Sequence, residues 1–152
     1  FLLWVSFCFA KLEIAVEGKH GHSKDPSDWK LPSKNWASLL FFSGKPATGY
    51  HVWMEVFILS MLHFVYAFVV PTMQIEFQLL SFFFLFCVIE DFLWFLLNPA
   101  YGFKNFKAEK IWWHRKNWWV FAPRDYFIFL AAGIVLYWLS LIDSSWGWFF
   151  TG

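Results

Sequence analysis

The chain has 152 residues, of which 59% are apolar, 26% are aromatic and only 15% are charged. This composition excludes an ordinary soluble domain, because 12 Trp and 22 Phe are more than one small soluble core can bury. The net charge of +1 gives no reason to expect a nucleic-acid partner, whereas a lipid bilayer solvates such side chains well.

Four apolar stretches predict four transmembrane helices in a single membrane domain, 1–152, with spans at about 1–16, 52–70, 75–97 and 126–142. A helix needs roughly 20 apolar residues to cross the hydrocarbon core. The stretches are too long, and alternate too little, for the ~10-residue strands of a membrane barrel. We therefore predict an all-α, polytopic membrane protein, in which Pro71 ends the second span because proline cannot continue the helical ladder.

The start of the chain already lies inside an apolar run. Phe1 is not an initiator Met, so we expect further residues ahead of it. A signal peptide is disfavoured, because the run continues through Ile14–Val16 without a small-residue cleavage pattern.

Basic residues predict the orientation of the chain. Eleven of the 12 Lys and Arg lie in two connecting segments, 17–50 and 98–125, and the other connection carries none. Positively charged loops remain in the cytoplasm. We therefore expect both segments to be cytoplasmic, both termini to lie outside, and the membrane to be a prokaryotic inner membrane.

The segment Ile111–Phe121 is predicted to lie on the membrane rather than across it. Four Trp flank four polar or cationic side chains there, in the sequence IWWHRKNWWVF. Indole rings favour the headgroup level while cations remain in water. The sequence thus predicts an interfacial, Trp-rich segment between the last two spans.

Acidic and imidazole side chains gather at the cytoplasmic ends of the predicted spans. Glu13, Glu17 and His20 follow one another at i, i+4 and i+7, which places them on one helical face. Seven residues form the predicted site: Glu17, His20, His51, Glu55, Glu90, Asp91 and His114. A buried carboxylate costs several kcal/mol unless it is paired, and Lys11 is the only basic residue within a span.

A bound divalent metal would balance this charge, so these seven residues are predicted metal ligands. Glu17-x-x-His20 has the spacing that di-iron bundles use, although those proteins carry two copies. Imidazole and carboxylate ligands without thiolate suit Fe, Zn or Mn. Glu13 and His22 are expected as outer or alternative ligands, and Glu55 or Asp91 as the catalytic general base. Both Cys are expected to be small buried apolar residues.

Several functions remain open at this point. The first is a metal-dependent membrane hydrolase or oxidoreductase that acts on a lipophilic substrate. The second is an accessory subunit of a larger membrane complex, and the third is a proton or ion conductor that uses Glu55, Glu90 and Asp91. A purely structural network, with some acids protonated, is also possible. His63 is too deep to join the site and is expected to hydrogen-bond within the bundle, whereas Glu76 is expected to be solvated.

Overall fold

The structure, a computed structural model, describes residues 1–17, 48–111 and 114–142. These residues are mostly helical, as predicted. Four helices lie among them: α1 (Leu2–Glu17), α2 (Gly49–His63), α3 (Met73–Leu97) and α4 (Arg124–Leu141). A 3-10 turn, Phe64–Ala67, extends α2.

Three of these segments are long and apolar enough to cross a membrane. They are Gly49–Ala67, Met73–Leu97 and Arg124–Leu141. The predicted first span forms α1, but its 16 residues would cover only about 24 Å at ~1.5 Å per residue. That is less than the ~30 Å hydrocarbon core. Within the described residues, therefore, no fourth span is shown.

The connection between α2 and α3 differs slightly from the prediction. The helical conformation ends at Ala67 rather than at Val70. The residue before a proline favours an extended backbone, so Val70 is a poor continuation of the helix. Thr72 then caps α3, because its backbone is extended and its hydroxyl accepts from the amide of Ile75 at 3.2 Å.

Helix α3 is the centre of the bundle. It packs most extensively against α4, then against α1, and only lightly against α2. Ser81 donates to the carbonyl of Gly133 at 2.7 Å, which brings the backbones of α3 and α4 close together. One apolar cluster lies at the C-terminal end of α3, where Trp94 and Phe95 contact Ala10 and Ile111.

The segment after α3 folds back under the bundle. Gly102, at φ +64°, donates its amide to the carbonyls of Phe95 and Asn98 and so reverses the chain. A two-residue antiparallel hairpin then joins β1 (Trp118–Trp119) to β2 (Ala122–Pro123) and leads into α4. Trp112 and Trp113 of the predicted interfacial segment lie outside the described residues.

Candidate functional site

Polar side chains from four helices and one loop lie near the C-terminal ends of α1 and α3 and the N-terminal ends of α2 and α4. They form two neighbouring groups, joined where Glu90 and Asp91 follow each other on α3. The inner group consists of Glu13, His51, Glu55 and Glu90. The outer group consists of Asp91, His114 and Tyr126.

His51 lies beside Glu13 in the inner group. Its Nε2 is 3.9 Å from Oε1 of Glu13, which is too long for a direct hydrogen bond. Its other nitrogen, Nδ1, is 2.7 Å from the hydroxyl of Thr48, a residue that is 1% exposed. Thr48 precedes α2, so the start of this helix fixes the orientation of the His51 ring.

Three carboxyl groups meet in the inner group. Glu90 is 7% exposed and lies close enough to Glu13, which is also 7% exposed, to interact with it. Among the described residues, the buried oxygen Oε1 of Glu90 has no hydrogen-bond partner. Glu55 reaches the same group from α2, close enough to both Glu13 and His51 to interact electrostatically. In the part of the chain that the structure describes, no Lys or Arg forms an ion pair with Glu55 or Glu90.

The outer group centres on Asp91. The hydroxyl of Tyr126, in the first turn of α4, donates to Oδ2 of Asp91 at 2.5 Å. Nε2 of His114 lies 3.6 Å from the same oxygen. His114 is 1% exposed and lies edge-on to the rings of Phe95 and Tyr126. The fold of the segment after α3 thus holds a buried imidazole beside the partly exposed carboxylate of Asp91.

The predicted site residues can now be located. The structure brings His51, Glu55, Glu90, Asp91 and His114 to one end of the bundle. Glu17 is the last residue of α1, one turn beyond Glu13, and its side chain lies outside the described part of the structure. His20 and His22 lie outside the described residues. Glu13, expected only as an outer or alternative ligand, is the residue that connects α1 to the group.

Three residues that contact the predicted site residues were not predicted from the sequence. Tyr126, Thr48 and Cys87 all touch predicted site residues. Position was the only available signal for Tyr126 and Thr48, since each lies beside the predicted cytoplasmic end of a span. Cys87 is one turn before Glu90 on α3, and its Sγ lies 4.0 Å from Oε2 of Glu55.

A separate polar cluster occupies the opposite end of the bundle. Glu76, expected to be solvated, accepts from the hydroxyl of Tyr66 at 2.7 Å and lies 3.1 Å from Nε2 of His63. His63 also donates from Nδ1 to the carbonyl of Leu59 at 2.7 Å. The prediction that His63 forms hydrogen bonds within the bundle is thus confirmed. This cluster ties the end of α2 to the start of α3.

No group of three or more His, Cys, Asp or Glu close enough to hold a metal ion occurs within residues 1–17, 48–111 and 114–142. Each group does contain one imidazole–carboxylate pair. The pair is His51 with Glu13 in the inner group and His114 with Asp91 in the outer group. A metal would therefore need either a small closure of the inner group or a further donor.

Comparison of the chain with protein-family models, with curated proteins and with solved structures finds no match. A function for this chain can therefore be proposed only from the geometry of its side chains.

Proposed function

We propose that this chain is an integral membrane protein that binds a divalent metal ion through Glu13, His51, Glu55 and Glu90. His20, one of the predicted ligands, would complete the site. We further propose a metal-dependent reaction, hydrolytic or oxidative, on a lipophilic substrate that enters from the cytoplasmic leaflet.

The main support for a metal site is that the buried carboxyl group of Glu90 has no compensating cation in the described part of the chain. Glu90 is buried, its Oε1 has no hydrogen-bond partner among the described residues, and the charged groups that act on it, Glu13, Asp91 and Glu55, are all carboxyl groups. A buried charge without a compensating partner costs several kcal/mol. A cation between Glu13, Glu55 and Glu90 removes this cost and supplies the missing partner.

The spacing of the imidazole and the carboxylate is close to that of two ligands on one ion. Ligand atoms bound at ~2.1 Å in tetrahedral geometry are about 3.4 Å apart. The 3.9 Å between His51 Nε2 and Glu13 Oε1 needs a closure of only about half an ångström. The contact of Thr48 with the other nitrogen of His51 resembles the outer contacts that orient metal-binding histidines.

The outer group suits proton transfer beside such an ion. Asp91 is held by Tyr126 and faces His114, so a proton can pass among three titratable groups next to Glu90. A metal-bound water would act as the nucleophile in a hydrolytic reaction. Asp91 or Glu55 would then serve as the general base.

Elemental analysis of the protein purified in lipid nanodiscs tests the metal. We expect about one Fe, Zn or Mn per chain, and we expect His51→Ala and Glu90→Gln to lose most of it because each removes a ligand. His63→Ala is the matched control, since His63 lies on the same helix and also faces a glutamate. A wild-type protein without metal, or a His51→Ala protein that keeps as much metal as the control, would contradict the proposal.

A proton-carrying role is the second candidate, and the contact between Glu13 and Glu90 favours it. Two carboxylate anions that interact inside a buried group repel each other, so a proton shared between Glu13 and Glu90 would stabilise the pair. Proton flux into liposomes tests this role. Flux that Glu90→Gln abolishes, in protein that contains no metal, would support it over the metal site, whereas flux unchanged by Glu90→Gln would rule it out.

A further inference from the structure

Three lysines lie on residues 102–111, the part of the chain between α3 and the β1–β2 hairpin that we call the lysine loop. Lys104, Lys107 and Lys110 follow one another at intervals of three residues, and all three are exposed. Within the described residues, none of them forms an ion pair. The loop contains one acid, Glu109, which can offset only one of the three charges. The remaining charge is available to an anion outside the chain.

Hydrogen bonds hold the backbone of the lysine loop in a fixed course. The backbone amide of Asn105 donates to the carbonyl of Gly102 at 3.0 Å. The amides of Lys110 and Ile111 both donate to the carbonyl of Lys107, at 2.9 Å and 3.1 Å. An anion that binds the lysines therefore orders their side chains but not the backbone, which lowers the entropic cost of binding.

The lysine loop lies at the depth where α3 ends. Gly102 donates its amide to the carbonyl of Phe95, in the last turn of α3, and the ring of Phe106 contacts those of Phe92 and Phe95. The 25 residues of α3 extend over about 37 Å at ~1.5 Å per residue, which exceeds the ~30 Å hydrocarbon core. Both ends of a membrane-spanning α3 therefore reach the headgroup layers, and the loop that folds against its last turns lies in one of them.

We propose that the lysine loop binds the headgroups of anionic phospholipids. Basic residues that directly follow a transmembrane helix are attracted to anionic lipids, and the phosphate oxygens at this depth complement the unpaired charge of the loop. Phe103 is 68% exposed beside Lys104, so its ring can contact the adjoining acyl chains while the lysine remains at the phosphates. The three lysines belong to neither the inner nor the outer group, so this proposal does not depend on a bound metal.

Native mass spectrometry tests the proposal, because it counts the lipids that remain bound to one chain. The protein purified in detergent is titrated with phosphatidylglycerol and, separately, with phosphatidylcholine that has the same acyl chains. We expect the wild type to bind phosphatidylglycerol at least about tenfold more tightly, since each cation near an anionic surface contributes about fivefold. The combined Lys104→Gln, Lys107→Gln and Lys110→Gln variant should lose most of this preference, and circular dichroism verifies that it remains helical.

Glu109→Gln is the control of opposite sign. It removes the acid of the lysine loop from an exposed position, so it should strengthen the binding of phosphatidylglycerol by up to about fivefold and leave that of phosphatidylcholine unchanged. A triple lysine variant that keeps the wild-type preference overturns the proposal, because the preference then belongs to other cations of the chain. A wild type that binds the two lipids equally also overturns it and leaves the lysines a role in orientation alone.

Discussion

A carboxyl group inside a helical bundle needs a donor, and Asp91 receives one from the first turn of α4. The hydroxyl of Tyr126 donates to it at 2.5 Å. Hydrogen bonds to charged groups are stronger than neutral ones, but the Asp91 side chain is 38% exposed, which weakens the net contribution of this bond. This single contact thus ties α4 to the polar end of α3.

Tyr126→Phe is expected to lower the free energy of unfolding by about 0.5–1.5 kcal/mol, because it removes one donor from the partly exposed carboxylate of Asp91. Denaturant unfolding in mixed micelles, followed by circular dichroism, measures the change. Tyr137→Phe is the matched control on the same helix, since Tyr137 is 53% exposed, and it should change the stability by less than about 0.5 kcal/mol. Equal effects of the two substitutions would show that the contact with Asp91 contributes nothing.

Gly133 is the residue that lets α3 and α4 approach each other. A Cβ at this position would lie 2.8 Å from Cγ of Leu85 and 3.4 Å from the carbonyl oxygen of Ser81. The first distance is too short for a real contact, whereas the second is an ordinary one. Leu85 cannot withdraw its branch point without moving the whole side chain. The absence of a side chain at Gly133 therefore matters for packing.

Gly133→Ala should destabilise the protein, since overpacking typically costs about 1–3 kcal/mol and outweighs the ~1 kcal/mol that alanine gains in helix propensity. The midpoint of thermal unfolding in detergent measures this. Val135→Ala, at a position that is 52% exposed on the same helix, should leave the midpoint nearly unchanged. A Gly133→Ala protein as stable as the wild type would mean that the helices separate at little cost.

The sequence predicts which residue types gather at one end of the bundle, but not how each helix is rotated. Glu13 was predicted only as an outer or alternative ligand, yet it is buried and lies beside Glu90. Ala10 and Ile14 pack against the Trp94–Phe95 cluster and bring Glu13 toward Glu90. This packing involves residues more than 80 positions apart, so helical spacing alone cannot reveal it.

At the scale of elements, the hairpin between β1 and β2 has unusual turn residues. Val120 and Phe121 occupy its two turn positions, where Asn-Gly would favour the backbone geometry. Val120 has φ +37°, which a β-branched residue rarely adopts. Val120 is 94% exposed and Phe121 is 70% exposed, and the ring of Phe121 contacts that of Phe127 in α4. The turn thus presents apolar side chains at the cost of backbone strain.

We expect this hairpin tip to lie in the bilayer interface, beside the first turn of α4. A nitroxide at Val120→Cys, in protein that carries Cys8→Ser and Cys87→Ala, reports the depth of the tip. The label should be more accessible to oxygen than to a water-soluble nickel complex, because oxygen concentrates in the membrane. A label at Lys107→Cys, an exposed position of the preceding loop, should show the reverse. A Val120 label as accessible to nickel as the Lys107 label would contradict the expectation.

Composition predicts where the helices lie better than it predicts the residues at which they begin and end. The third predicted span, 75–97, and α3 share their C-terminal residue, because Asn98-Pro99 excludes further helix. The sequence predicts that the second span continues to residue 70. In the structure, α2 instead continues as a 3-10 turn that ends at Ala67. The bonds of Glu76 to Tyr66 and His63 accompany that turn, and no local pattern signals them.

At the scale of the whole molecule, orientation is still a prediction. The charge distribution places the segments 17–50 and 98–125 on one side of the membrane, and both must be on that side for their residues to share a site. Among the described residues, His51 and His114 lie at the same end of the bundle, on either side of the Glu90–Asp91 pair.

A membrane-impermeant thiol reagent tests this orientation in right-side-out and inside-out vesicles. Lys30→Cys and Lys107→Cys should react only from the cytoplasmic face, and Gln74→Cys, in the exposed turn before α3, only from the opposite face. Each is made in protein without Cys8 and Cys87. Labelling of Lys107→Cys and Gln74→Cys from the same face would contradict the predicted topology.

The central claim is that side chains of α1, α2 and α3 share one metal ion. Anomalous diffraction from crystals of the protein as purified tests it most directly, because it both locates and identifies an ion. We predict one strong peak at the absorption edge of Zn or Fe, within about 2.0–2.3 Å of ligand atoms of Glu13, His51 and Glu90. A map without an anomalous peak among these residues, with His51 and Glu13 still as far apart as 3.9 Å, would contradict it.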